Sequence, residues 1–186
     1  VSKYDPNGNF IVQYTNTTVG SPAGMSSPLG LAVNSGSTTL YVSDSGNQRI
    51  LAMPLSSGVF STFVSSLGYT PQGLAINGSD LYVAGAGTAP TSVYNYLLSN
   101  GSAGSPPVAI PGFNSAYDIA FDINNNLYVS DTYNGQVEEF TANNYALSPS
   151  SFIGVGILSR PEGIATDSLG NVYVVDSGNG GLFQFP

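Results

Sequence analysis

The 186-residue chain contains no histidine and no cysteine, so imidazole, thiolate and the nitrogen–sulfur ligand sets of zinc and redox metals are absent from its chemistry. Proton transfer or cation binding is left to carboxylates, which number 11 against three basic residues, Lys3, Arg49 and Arg160. The adjacent acidic pair, Glu138-Glu139, stands in an alternating stretch, so its side chains face opposite sides of a strand and cannot work on one substrate proton. Asp44, Asp131 and Asp176 recur before Ser or Thr and a following Asn. An Asp in that setting accepts backbone N–H bonds and holds a turn, and these three are read as structural. Asp and Asn oxygens suit calcium, and residues 122–126 offer several, but they lack the EF-hand loop pattern and read more simply as a hairpin turn. No catalytic residue, metal or other cofactor is assigned, and the expectation is a non-catalytic module.

The elements that would position these residues are repeated. Four segments align, starting at Pro28, Pro71, Ala116 and Pro161, with starts 43, 45 and 45 residues apart. Each opens with a short apolar strand (Leu31-Ala32-Val33, Leu74-Ala75-Ile76, Ile119-Ala120-Phe121, Ile164-Ala165-Thr166) and a turn rich in Asn, Gly, Ser and Asp. An apolar-Tyr-Val strand follows, centred on Tyr41, Tyr82, Tyr128 and Tyr173. Third strands are expected at 49–53, 92–98, 136–141 and 181–185, and fourth strands at 59–64, 108–110 and 152–155. Four antiparallel strands in about 45 residues is the period of a propeller blade. The fold expected is therefore an all-β propeller forming one domain, with a partial blade over 1–27, blades from 28, 71 and 116, and a final partial blade over 161–186.

The pattern Pro-x-Gly-[Leu/Ile]-Ala, then Leu-Tyr-Val-[Ser/Ala]-Asp-[Ser/Thr]-x-Asn, resembles the NHL repeat. It is closest at Asp44-Ser45-Gly46-Asn47 and Asp176-Ser177-Gly178-Asn179; Gly85 replaces the Asp in the second repeat, and Ala116-Tyr117-Asp118 replaces Pro-x-Gly in the third. Propellers similar to NHL proteins usually have six blades, and related lyases and hydrolases lean on His and metal. The N-terminal strands at 1–4 and 9–12 read as the third and fourth of a blade, which leaves one surplus third strand. The chain is then part of a larger propeller, a small four-bladed ring, or a unit that pairs its open edges with copies of itself.

Positions preceding the first strand, the x of Pro-x-Gly, form a ring around one channel mouth in such a fold. Leu29, Gln72, Tyr117 and Glu162 occupy it, with Asp118 alongside, and this is the place for a small polar ligand. Tyr133, Tyr94, Tyr96 and Tyr145 are candidates to stack on sugars or a protein partner. Three basic residues cannot neutralise the phosphates that nucleic-acid binding requires, and no run approaches the ~20 apolar residues of a membrane span. With only 8% charged residues, the polar surface must come from Ser, Thr, Asn and Gly, which fits an extracellular or cell-surface protein, with protein, glycan or its own copies as partners. Asn16, Asn77 and Asn100 head Asn-x-Ser/Thr triplets and are the candidate glycosylation sites. The alternative is a lyase or lactonase that uses carboxylates and calcium, or the sensor domain of a larger receptor.

Overall fold

The computed structural model describes residues 1–14, 24–87, 91–99, 110–142, 145 and 149–186. The sequons at Asn16 and Asn100, the loop 101–107 and Val108 lie outside these residues. Blade 1 comprises β3 (Pro28–Val33), β4 (Thr39–Asp44), β5 (Arg49–Pro54) and β6 (Ser61–Val64), paired antiparallel in that order. Blade 2 is β7 (Thr70–Asn77), β8 (Asp80–Ala86), β9 (Ser92–Leu97) and β10 (Ile110–Pro111). Blade 3 is β11 (Ala116–Phe121), β12 (Leu127–Asp131), β13 (Gln136–Phe140) and β14 (Ser151–Ile153). Blade 4 has β15 (Pro161–Thr166), β16 (Val172–Asp176) and β17 (Gly181–Phe185), and the N-terminal hairpin is β1 (Ser2–Tyr4) with β2 (Phe10–Gln13).

The fourth strands begin and end differently from expectation, for local reasons. Gly58, at φ 66°, completes a turn with its N–H on the Pro54 carbonyl, so β6 starts at Ser61 and not at Val59. Gly154, at φ 74°, ends β14 before Val155.

The hairpins between first and second strands share one device. In blades 3 and 4 an Asp carboxylate accepts two backbone N–H groups across the turn: Asp122 from Asn124 and Asn126 (both 2.8 Å), and Asp167 from Leu169 (2.8 Å) and Asn171 (3.0 Å). Asn34 does the same in blade 1 through Thr38 (2.8 Å) and Thr39 (3.0 Å). Blade 2 uses a two-residue loop in which Gly78 takes φ 60°.

Blades pack face to face through an alternating pattern. The second-strand tyrosines of blades 1 to 3 lean on the apolar face of the next blade: Tyr41 on Leu74, Leu81 and Val83, Tyr82 on Ile119, Leu127 and Val129, and Tyr128 on Val172 and Val174. A hydroxyl latch accompanies each contact where the sequence supplies one. Ser45 Oγ donates to the Pro71 carbonyl of blade 2, and Thr132 Oγ1 to the Pro161 carbonyl of blade 4 (2.8 Å). The N-terminal hairpin covers blade 1, with the Tyr14 ring edge-on to Phe60 at 5.6 Å and Val1 beside the same cluster. Of the tyrosines expected at the surface, Tyr96 is instead core, hydrogen-bonded through its hydroxyl to Tyr69 at 2.6 Å. Tyr94 stacks on Tyr69 at 4.1 Å and Tyr145 packs on Tyr82 and Phe121, because the blade-to-blade clusters extend outward to these positions.

Candidate functional site at the channel mouth

Each first strand carries a break in register where the motif Pro-x-Gly or its equivalent occurs: between Pro28 and Leu31, Pro71 and Leu74, Ala116 and Ile119, and Pro161 and Gly163. Such a bulge re-aims side chains out of strict alternation. Here it turns the x residues inward, and Leu29, Gln72, Tyr117 and Glu162 line one cavity of about 370 Å³ together with Asp118. In blades 1 and 2 the residue after x must leave room for the neighbouring strand. A Cβ on Gly30 would stand 2.4 Å from the Gln72 carbonyl oxygen, and one on Gly73 would stand 2.7 Å from the Asp118 Cα.

Asp118 occupies the position that is glycine in the other three blades (Gly30, Gly73, Gly163). Its carboxylate thereby lies among the first strands of three blades. Oδ1 accepts from Ile119 N of its own strand (2.9 Å) and faces Gly73, while Oδ2 accepts from Ile164 N of blade 4 (3.1 Å). Its backbone N–H donates to Ser130 Oγ at 2.8 Å. Burial pushes the carboxyl up to about 6, against the two N–H bonds that pull it down. The Tyr117 hydroxyl is raised chiefly by burial and then by the Glu162 and Asp118 charges. Glu162 Oε1 accepts from Ser177 Oγ at 2.8 Å. Gln72 Oε1 is buried with no hydrogen-bond partner among the described residues.

The three recurrent turn aspartates lie away from this cavity. Each is fully buried and accepts the backbone N–H of the segment leading into its own blade: Asp44 from Ser26 (2.6 Å), Asp131 from Asn114 (2.7 Å), Asp176 from Ser159 (2.7 Å) and Arg160 (2.8 Å). Asp44 also pairs with Arg49 at 2.6 Å. Glu138 is buried beside Asp131, and burial together with that neighbouring carboxylate raises it to about 7. Asn77 ends β7, and its Nδ2 donates to Tyr145 OH at 3.4 Å. Tyr133 is 63% exposed on the turn after β12. Among the described residues no group of three or more Asp, Glu, His or Cys is placed to hold a metal ion, and no helix is long and apolar enough to cross a membrane.

Sequence reading found the ring positions but missed three features of the site. The glycine position held by Asp118 was visible as a departure from the motif; its placement between blades was not. The Ser/Thr after the turn Asp acts between blades, a role hidden because the acceptor lies in the next repeat. The open acceptor on Gln72 follows from packing alone.

The model of the NHL repeat matches residues 158–185. No curated protein matches the sequence. The chain is similar in structure to a streptogramin B lyase (TM-score 0.62, 13% identity, 92% of this chain and 57% of that one). It is also similar to a chain of a nidogen/laminin complex (TM-score 0.72, 18% identity, 86% and 59%) and to a gluconolactonase from Xanthomonas campestris (TM-score 0.71, 12% identity, 94% and 61%). The chain thus spans about three-fifths of the length of these structures. At these identities the likeness establishes the fold alone. It does overturn the expectation of a non-catalytic module, since a streptogramin B lyase and a gluconolactonase share this architecture.

Proposed function

Because the chain is a β-propeller carrying an NHL repeat, we propose that its channel mouth binds a small hydroxylated molecule of the sugar or sugar-lactone class, anchored on the Asp118 carboxyl. The observation that carries this reading is the substitution of carboxylate for glycine at the axis, where a Cβ in blade 1 or 2 would collide with the neighbouring strand and where the Asp118 oxygens instead rest on backbone N–H groups. Each carboxylate oxygen keeps a further lone pair for a ligand hydroxyl. The Gln72 oxygen is buried with no hydrogen-bond donor among the described residues, at a cost of about 1–3 kcal/mol. Tyr117 adds a hydroxyl and an aromatic face on the same wall.

A carboxyl near 6 is present in both protonation states at neutral pH, so Asp118 can accept a proton from a water that attacks a lactone carbonyl and return it to the ring oxygen that leaves. That is the property a lactone-opening reaction needs, and the gluconolactonase neighbour makes a sugar lactone the first substrate to try. The test is ligand-observed NMR with neutral sugars and polyols, on the wild type and on Asp118→Gly, which restores the residue of the other blades. Saturation transfer that vanishes in the variant supports the mouth as the site. Transfer of equal size in both proteins, or none across the panel, would sink it.

A second reading, as a module for protein contact or self-association, rests on blade 4. Positions equivalent to Val175 and Leu182 are fully buried in the three preceding blades (Ser43, Ala84 and Ser130; Ile50, Val93 and Val137), whereas these two are 52% and 70% exposed. Ser177, the latch residue of this blade, turns back onto its own Glu162. Leu29, Leu31 and Val33 on blade 1 are about half exposed and offer the matching apolar face of another copy. Sedimentation equilibrium of wild type and Leu182→Asp tests it: association lost in the variant supports this reading, and a monomeric wild type removes it.

A further inference from the structure

Two cavities meet at the mouth, and their charges are segregated. Beside the 370 Å³ cavity lies another of about 330 Å³, and Gln72 and Tyr117 belong to both walls. Among the described residues, the first cavity has Asp118 and Glu162 as its charged lining and no cation, and the second has Arg160 and no carboxylate. Arg160 is one of three basic residues in a chain of net charge −8, and the other two are committed elsewhere, Arg49 against the buried Asp44 and Lys3 on the N-terminal hairpin.

The Arg160 backbone is fixed, its N–H on Asp176 Oδ1 (2.8 Å) and its carbonyl accepting from Ser177 N (3.0 Å). Its guanidinium lies over the Tyr133 ring at 5.7 Å and stands 3.7 Å from Glu162 Oε1, an oxygen already engaged by Ser177. The ion pair is long and half-exposed, so it orients the guanidinium while leaving its donor fork open. Across the cavity Ser115 is held at φ 74°, a non-glycine residue in the left-handed region, with its carbonyl accepting from Thr132 N at 3.2 Å.

Resting on the mouth reading above, we infer that the natural ligand carries a single carboxylate, bound by Arg160 in the second cavity while its hydroxylated body sits against Asp118 and Gln72. The charge pattern sets the orientation: a carboxylate in the first cavity would face Asp118 and Glu162, whereas in the second it meets a planar donor pair suited to it. Arg160 is then the residue that distinguishes a sugar acid from the neutral sugar.

Titration calorimetry with D-glucose and D-glucuronate, which differ at one carbon, tests the inference on the wild type, Arg160→Gln and Arg160→Lys. In low salt glucuronate should bind the wild type roughly fivefold tighter or more, the size expected for an exposed charge pair. The ratio should fall to about one in Arg160→Gln and recover in part in Arg160→Lys. Equal binding by the wild type, or a ratio kept in Arg160→Gln, overturns the inference and leaves the mouth reading standing. Failure of both sugars to bind overturns the two together.

Discussion

Replacing Asp118 by Asn should change how stability depends on pH, and the size of the change follows from the site. Burial pushes the folded-state carboxyl up to about 6 from its ordinary 3.8, a difference worth about 3 kcal/mol. The folded state holds its proton more tightly than the unfolded chain does. The favourable contribution is therefore complete below 3.8 and is lost as pH rises through 6. Asn does not titrate, so the stability of the variant relative to the wild type should climb with pH. About 2 kcal/mol of that climb falls between pH 4.5 and 7.5. A constant offset accompanies it: Asn keeps an acceptor for Ile119 N–H, but its amide nitrogen cannot accept from Ile164 N–H, at a cost of about 1–3 kcal/mol. Urea unfolding of both proteins at four pH values separates offset from slope, because groups common to both cancel in the difference. Parallel curves would refute the claim that Asp118 is a desolvated carboxyl.

Three further outcomes are expected. Thr132→Val removes the latch to the Pro161 carbonyl and leaves a buried acceptor, and urea unfolding should record a loss of about 1–3 kcal/mol, with no loss for the same change at exposed Thr62. Gly73→Ala drives a Cβ to within 2.7 Å of the Asp118 Cα, so thermal unfolding should fall clearly, whereas Gly68→Ala, with open space around it, should show only the smaller cost of its positive φ. Glu138→Gln removes a carboxyl raised to about 7 by burial and Asp131; its gain relative to the wild type should grow as pH rises from 5.5 to 8.5, and a gain that shrinks would contradict the placement of that pair.

Much of this molecule was legible in its residues because a propeller repeats its instructions. The motif positions of Leu29, Gln72, Tyr117 and Glu162 gave the ring around the mouth, since residues at one point of a repeat must converge on one axis. The strand cores were equally plain. Strand ends were not, because Gly58 and Gly154 take positive φ and end the fourth strands by turn geometry that hydrophobic pattern does not report. The tyrosines show a deeper limit. Tyr41, Tyr82, Tyr128 and Tyr173 share a motif, yet the first three are buried under the following blade and Tyr173 is only half-buried. Burial here belongs to the neighbour, and sequence within one repeat cannot express it. The same holds for Arg160, which is unremarkable in sequence and acquires meaning only when blades 2, 3 and 4 close a cavity around it.

The most direct test of the mouth as a binding site is an amide-resolved NMR titration of the ¹⁵N-labelled protein with D-glucuronate. The account predicts saturable shifts concentrated on Ile119 and Ile164, whose N–H groups hold the Asp118 carboxylate, and on Gly73 beside it. Shifts confined to other surfaces, with these three amides unmoved, would contradict it.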